Sequence, residues 1–365
     1  MAILKKNQLI GLDIGSHSIK LVEVDHRKKG RILKNFGVIE LPHGVIVEGS
    51  IKEMETVSLA IKSLIKNLKV RNKNVAASIS GLAVIVKKIP LSKQEESKVE
   101  ATIQEEAEQY IPFDINEVNL DFDILTVPYE AEGSRGGEGA KKSKNYMEVM
   151  LAAAKKDVIE EYINVIEIAE LNPVILDVDV FALQNVFEIS TEVVEPEGCF
   201  AMINIGAEQL GINVVSDSVS VFSRSSSYGG FQITKAIMSE FNVSFEEAEK
   251  IKLGGSKVDN DDGKLNEIFT SVVSDLIQEI RPALDFVANT YPDKSIEKII
   301  VSGGSCRIPG FQKYLKLEAA LPVVEINPFS NLIINEKRFD PVYLKYMAPQ
   351  AAIAVGLALR SIGDK

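Results

Sequence analysis

One local pattern occurs twice in this chain, and it restricts the available folds more than any other feature. An apolar run ends in Asp13-Ile14-Gly15, and a second apolar run follows after a short break. The same happens at Asn204-Ile205-Gly206. Around the first copy, residues 8–13 and 19–25 read as strands joined by Gly15-Ser16-His17-Ser18. Around the second, 199–205 and 210–216 are joined by Gly206-Ala207-Glu208-Gln209. Glycine and small polar residues supply the turns, and β-branched flanks supply the strands. A third strand is expected after each pair, at 32–41 and 218–223. Two such starts in 365 residues point to two domains or one large doubled one.

Helices interleave with these strands. Residues 54–69 place Val57, Ala60, Ile61, Leu64, Ile65 and Leu68 at helical spacing. Strands are expected at 74–79 and 83–89. From Pro90 the texture changes. Residues 92–111 read as a Glu-rich helix with Val99, Ile103, Ala107 and Tyr110 on one face, followed by strands at 121–127 and 147–154. Between those strands, 129–145 holds glycines and charges without periodicity and reads as a flexible loop. Asp157 and Glu160 form a capping-box pattern, opening a helix that stops at Asn172-Pro173. The block 82–172 fits a small inserted subdomain. Further on, a helix is expected at 232–240. Ser244 and Glu247 start another that stops at Gly254-Gly255. After a polar loop at 257–263, a long helix spans 265–289, with Pro282 expected to kink it. A strand at 298–301 leads into Ser302-Gly303-Gly304-Ser305, and 349–360 closes the chain as a helix. The alternation makes the fold class α/β.

Apolar residues make up 45% of the chain and charged residues 25%, which allows a full core and excludes general disorder. No run approaches the roughly 18 apolar residues of a membrane span. Residues 1–10 lack the apolar stretch of a signal peptide. Cys199 and Cys306 offer neither a disulfide framework nor a zinc spacing, so a reducing, cytoplasmic compartment is expected. The net charge of −11 divides into +8 over residues 1–100 and −19 over the rest. An acidic majority argues against nucleic-acid binding. The basic first hundred residues either face a membrane surface or an acidic partner, or form an ordinary solvated surface.

Three glycine turns carry the candidate chemistry. At the first, Gly15 lets the backbone approach an anion, Ser16 offers a hydroxyl and Lys20 a point charge for a phosphate. Asp13, at a strand end, suits Mg²⁺ held through water. The second, Asn204-Ile205-Gly206-Ala207, could cradle a phosphate from the opposite side. The third, Gly303-Gly304 with Arg307 close behind, follows a strand and precedes a helix, where backbone can press on a nucleoside or phosphate. None matches the P-loop pattern or the dinucleotide GxGxxG pattern.

In this order the three turns resemble the ATPase superfamily of actin, the heat-shock chaperone ATPases and the sugar kinases. The resemblance implies an actin-like fold, two ribonuclease H-like lobes produced by duplication, binding ATP and Mg²⁺ between them. It makes Asp13, Gly15, Ser16, His17 and Lys20 the first phosphate loop, and Asn204, Gly206 and Ala207 the second. Gly303, Gly304 and Arg307 become the adenosine motif. Glu249 and Lys252, in Ala248-Glu249-Lys250-Ile251-Lys252, match a nucleoside-contacting helix. Asp179 matches an acid that positions the attacking water, and equally reads as the cap of the helix that follows it.

The block at 82–172 takes the place of the 1C subdomain of the cell-division protein FtsA. Within that group the chain resembles the PilM family of type IV pilus proteins. The matching text is Gly11-Leu12-Asp13-Ile14-Gly15-Ser16, Tyr110-Ile111-Pro112-Phe113, Asp177-Val178-Asp179 with Phe181-Ala182-Leu183, Gly229-Gly230 with Ile233-Thr234, and Gly356-Leu357-Ala358-Leu359-Arg360. The implied division is 1–81, 173–198 and 336–365 in subdomain 1A, 82–172 in 1C, 199–230 and 296–335 in 2A, and 231–295 in 2B. The implied function is a cytoplasmic ATP-binding scaffold of the pilus inner-membrane platform, serving twitching motility. It would dock the cytoplasmic N-terminal tail of PilN in a groove beside the inserted strands. PilO and the motor proteins are implied as indirect partners, membrane association would come through partners, and an oligomer or ring is implied. Asn204 stands where the superfamily usually has Asp, and Gln209 where Thr is usual, so hydrolysis is expected to be slow at most. The alternatives are an FtsA-like filament, expected to need a basic amphipathic helix that the five residues after Arg360 do not supply, and a small-molecule kinase, which needs a general-base Asp and a sugar pocket.

Overall fold

The computed structural model describes residues 8–125, 146–189, 198–256, 262–292 and 294–364. The first half opens with β1 (Ile10–Ile14), β2 (Ser18–Arg27) and β3 (Gly30–Glu40), then the hairpin β4 (Ile46–Val47) and β5 (Ser50–Ile51). Helix α1 (Met54–Leu68) and β6 (Asn74–Ile79) follow. A small sheet is inserted next, formed by β7 (Val84–Ser92), β8 (Val118–Leu125) and β9 (Tyr146–Lys155), with α2 (Glu96–Glu106) packed on it. The main body resumes with α3 (Lys156–Ile168), β10 (Asn172–Val178) and α4 (Asp179–Ile189). The second half has β11 (Cys199–Ile205), β12 (Leu210–Ser216) and β13 (Val219–Ser226), then α5 (Phe231–Phe241), α6 (Phe245–Lys252) and α7 (Lys264–Thr290). It ends with β14 (Ile296–Ser302), α8 (Phe311–Ala319), β15 (Val323–Glu325), β16 (Leu332–Ile333), α9 (Pro341–Met347) and α10 (Ala352–Ala358).

The repeat read from the sequence extends to whole sheets. The first sheet runs β10-β6-β1-β2-β3-β16 and the second β15-β14-β11-β12-β13. In both, an antiparallel three-strand meander is joined through its first strand to parallel strands, β1 to β6 and β11 to β14. Helix α3 therefore occupies in the first half the place that α8 occupies in the second, between the two parallel strands. The small sheet is an insertion at the β6–α3 junction.

Alternation along the strands sorts side chains between three layers of helix. Ile10, Leu12 and Ile14 of β1 pack with Val57, Ile61, Val165 and Ile166 of α1 and α3. Ala201, Ile203 and Ile205 of β11 pack with α5, α6, α7 and α8. The inner faces of both sheets, through residues such as Val22, Val24, Phe200 and Met202, enclose α4 and α10. Two glycines make this middle layer possible. A Cβ on Gly11 would sit 2.0 Å from the Ala354 carbonyl oxygen, and one on Gly356 1.8 Å from that of Ala182. Glycine at these positions lets α10 lie directly on β1 and cross α4.

Several expectations need correction. The helix expected over residues 92–111 begins only at Glu96, because Ser92 and Pro90 continue β7. β7 is an edge strand, where a proline leaves no ladder bond missing. The Asp157–Glu160 capping box does not form. β9 runs straight into α3, Lys155 takes the N-cap position, and the Asp157 carboxylate accepts the N–H of Val158 at 2.8 Å. That helix ends at Ile168. Asn172-Pro173 starts β10, an edge strand whose register shifts just after the proline. The long helix expected over 265–289 is found as α7, with Pro282 inside it. The closing helix is shorter than 349–360, its first turn being 3₁₀. The Ser244–Glu247 cap does form, with the Ser244 hydroxyl accepting the Glu247 N–H at 3.2 Å. The Gly254-Gly255 stop closes α6 through Gly254 N–H to Ile251 O and Gly255 N–H to Lys250 O. The expected loop at 129–145, and most of that at 257–263, lie outside the described residues.

Packing also draws the insertion more tightly than 82–172. Val158, Tyr162, Val165, Ile166, Ala169 and Leu171 share a core with β1 and α1, whereas the small sheet and α2 have a core of their own. Residues 332–333, assigned by sequence to the second lobe, pair with β3 in the first sheet.

Candidate functional site

In an α/β sheet, ligands bind beyond the carboxyl ends of the parallel strands. The carboxyl ends of β1, β6, β11 and β14 meet in one cleft of about 1070 Å³. Every residue expected from the sequence to form the site lines it. The first turn contributes Asp13, Gly15, Ser16, His17 and Lys20, and the start of α4 contributes Asp179. The second turn contributes Asn204, Gly206 and Ala207, α6 contributes Glu249 and Lys252, and the third turn contributes Gly303, Gly304 and Arg307.

The two hairpin turns close in the same way. Gly15 N–H donates to Ser18 O at 3.2 Å, and Gly206 N–H to Gln209 O at 2.8 Å. The Lys20 ammonium lies 3.2 Å from the Asp13 carboxylate, both largely covered by protein. A Cβ at Gly15 would stand 3.4 Å from that ammonium. With glycine there, the cation stays open to an anion in the cleft. The third turn is pinned by the second: the Ser305 hydroxyl donates to Gly206 O at 2.8 Å. Gly303 takes φ +84°, and a Cβ on it would lie 2.2 Å from Ile205 O. The Ser302 hydroxyl donates to Asn204 Oδ1 at 3.1 Å, which fixes the amide.

On the opposite wall, Lys252 Nζ sits 2.5 Å from Glu249 Oε1 and donates to the Thr234 hydroxyl at 2.9 Å. Thr234 itself bonds Glu249. Burial pulls the Lys252 ammonium below its usual range, and Glu249 opposes that shift. The aromatic face of Phe231 lies 5.7 Å beneath the ammonium. Burial likewise lowers His17. Arg307 lines the cleft with its charge already engaged, through Glu325 Oε2 at 2.6 Å and the Tyr346 carbonyl at 2.6 Å.

Asp179 accepts the Ser78 hydroxyl at 2.5 Å. Burial first, and the neighbouring Asp13 carboxylate second, push its carboxyl up to about 7. Ser78, Ser80 and the buried Tyr162 join it on the cleft floor, and sequence reasoning missed all three. For Ser78 and Ser80 the signal available was their place at the end of β6, whose parallel pairing with β1 brings it beside Asp13; Tyr162 comes from α3.

A second cavity, about 300 Å³ and mostly apolar, lies beside the inserted sheet. Its walls are Ile85 and Val86 of β7, Phe113 from the segment after α2, Val180 and Leu183 of α4, and Met202 and Leu210 from the second sheet.

The sequence model of the family described as type IV pilus assembly protein PilM matches residues 11–362. The chain belongs to the PilM family. Among solved structures it is similar to a chain of the PilM–PilN type IV pilus biogenesis complex, at 29% identity and a TM-score of 0.83, covering 98% of this chain and 99% of that one. It is also similar to the ethanolamine utilization protein EutJ from Carboxydothermus hydrogenoformans, at 16% identity and a TM-score of 0.54, covering 96% and 89%. The fold is thus the actin-like one expected, and the chain is a type IV pilus assembly protein. No described helix is long and apolar enough to cross a membrane.

Proposed function

We propose that this PilM-family chain binds Mg-ATP in the cleft between its two sheets and docks the cytoplasmic N-terminal tail of a PilN protein beside its inserted sheet. The observation that carries the nucleotide reading is convergence. Fourteen residues picked from five separate stretches of sequence line one cleft. The donor set suits a magnesium triphosphate. Lys20 and the turn amides would hold the phosphates, and Glu249 and Lys252 the nucleoside. Among the described residues no three or more His, Cys, Asp or Glu side chains gather as a ready metal site. Asp13 would therefore hold Mg²⁺ with waters and phosphate oxygens completing the shell, as this ion prefers. When bound, the ion supplies neutralisation of phosphate charge.

The partner reading rests on the PilM–PilN complex among the similar structures and on the apolar cavity at the insertion. That cavity has room for one or two anchoring side chains of an extended peptide. Attachment to the inner membrane, and contact with PilO or the motors, would follow from this docking. Calorimetry on the full chain tests both sites. Mg-ATP should bind, and Lys252→Ala should weaken it at least tenfold, about 1.4 kcal/mol. Ile85→Glu should weaken a synthetic PilN tail peptide while leaving Mg-ATP bound. No heat from Mg-ATP, with or without the peptide, would remove the nucleotide reading.

A further inference from the structure

The nucleotide cleft and the apolar cavity are neighbours with a common wall. Ser80, Asp179, Asn204 and Gln209 line both. Of these, Gln209 spans the two lobes. Its backbone closes the second phosphate turn, accepting the Gly206 N–H at 2.8 Å. Its side chain leaves that turn and reaches the first lobe, where Oε1 accepts the Ser80 hydroxyl at 2.7 Å. Its Nε2 is buried among the described residues with no hydrogen-bond partner. That nitrogen is pressed against glycine backbone, 2.2 Å from where a Gly81 Cβ would be and 3.0 Å from a Gly49 Cβ. Gly81 takes φ +82° and opens the short 3₁₀ turn, Gly81–Ala83, that feeds directly into β7. β7 is the strand that walls the cavity on the inserted side. A continuous chain of contacts therefore runs from the phosphate turn, through Gln209, to Ser80-Gly81 and β7.

We propose that Gln209 couples the two sites, so that occupation of the nucleotide cleft changes the affinity of the cavity for its peptide. The proposal rests on the reading of the two cavities given above. The physical reason is that Gln209 cannot keep both attachments when the turn moves. A shift of the 206–209 turn toward a phosphate draws the amide away from Ser80. Its buried nitrogen then loses its seat against Gly81, and β7 shifts relative to the second sheet. An unpaired buried donor costs free energy, so the present seat is one that a small displacement upsets readily. Coupling of this kind is reciprocal: the peptide must alter nucleotide affinity by the same factor.

The test is a thermodynamic cycle on the full chain. The affinity of a synthetic PilN tail peptide is measured by calorimetry without nucleotide and at saturating Mg-ATPγS, in the natural protein, in Gln209→Leu and in Ser80→Ala. The expected result is a factor of about five or more between the two affinities in the natural protein, at the low end of known couplings. Both variants should bring that factor close to one. Because the readout is a ratio within one variant, a uniform loss of either affinity does not move it. Hydrogen exchange gives a second measure: Mg-ATPγS should change protection in the amides of β7 in the natural protein and not in Gln209→Leu. A factor near one in the natural protein, with both ligands bound, overturns the coupling and leaves the two sites standing. A factor that survives both substitutions overturns the role of Gln209. Failure of either ligand to bind the natural protein overturns the underlying reading, and the coupling with it.

Discussion

If the cleft holds Mg-ATP as proposed, Asn204 is the residue on which turnover would depend. It occupies in the second sheet the position that Asp13 occupies in the first, two residues before the turn glycine, and its amide is held by Ser302. A neutral amide there would leave the proposed metal site one negative charge poorer, and phosphoryl transfer relies on positioning and electrostatics more than on covalent chemistry. Asn204→Asp keeps the acceptor for Ser302 and adds the charge. Steady-state phosphate release should rise severalfold in this variant from a basal rate well below ~1 s⁻¹. A basal rate already above that value would contradict the argument. Asp179 gives a prediction in pH. Its carboxyl is raised to about 7 in the folded protein by burial and by Asp13. In the unfolded chain it ionises near the ordinary value of about 3.9. The folded state thus holds the extra proton between those values, and stability contributed by the protonated form is lost as pH rises toward 7. Asp179→Asn removes this loss. It should gain on the order of 2 kcal/mol over the natural protein at pH 8 and little or nothing at pH 4.5, measured by urea unfolding. An equal effect at both pH values would refute the burial argument.

Among the elements, α10 is the one whose sequence is least free. Its residues Ala352–Ala358 are all buried between the two sheets, and Gly356 meets the backbone of α4 with no room for a methyl group. Gly356→Val should cost about 3 kcal/mol or more in thermal or urea unfolding, since neither backbone can yield. Helices whose limits depend on local chemistry were legible in the sequence. Ser244 and Gly254-Gly255 bound α6 because a capping hydroxyl and a left-handed glycine, Gly254, act within a single turn. The start of α3 was not legible, because a preceding strand, rather than Asp157, supplies its N-cap position. The three glycine turns and α6 announced most of the cleft for the same local reason. Ser78, Ser80 and Tyr162 did not, because they reach the cleft through the pairing of β6 with β1 and the seating of α3 on the first sheet. Nothing in the apolar spacing of α3 says which sheet it covers.

At the scale of the whole molecule, that seating decides how much can be removed. Val84 and Ala154 are paired across β7 and β9, so a two-residue Asn-Gly turn can join them. Replacing residues 85–153 in this way should leave a cooperative protein that binds Mg-ATP and has lost the PilN tail peptide. Removing 82–171 instead takes α3 away and uncovers the first sheet. That variant should fail to unfold cooperatively in calorimetry; if it melts as sharply as the shorter deletion, α3 is not part of the core. The doubling of the sheets gives these limits a further meaning. The junction between β6 and α3 in the first half corresponds to the junction between β14 and α8 in the second. In one half that junction is the short segment 303–310, which opens with Gly303-Gly304 on the cleft. In the other it holds a sheet with its own core, large enough to meet another protein. One crossover position thus carries a short turn in one half and a whole sheet in the other, and both border the same seam of the molecule.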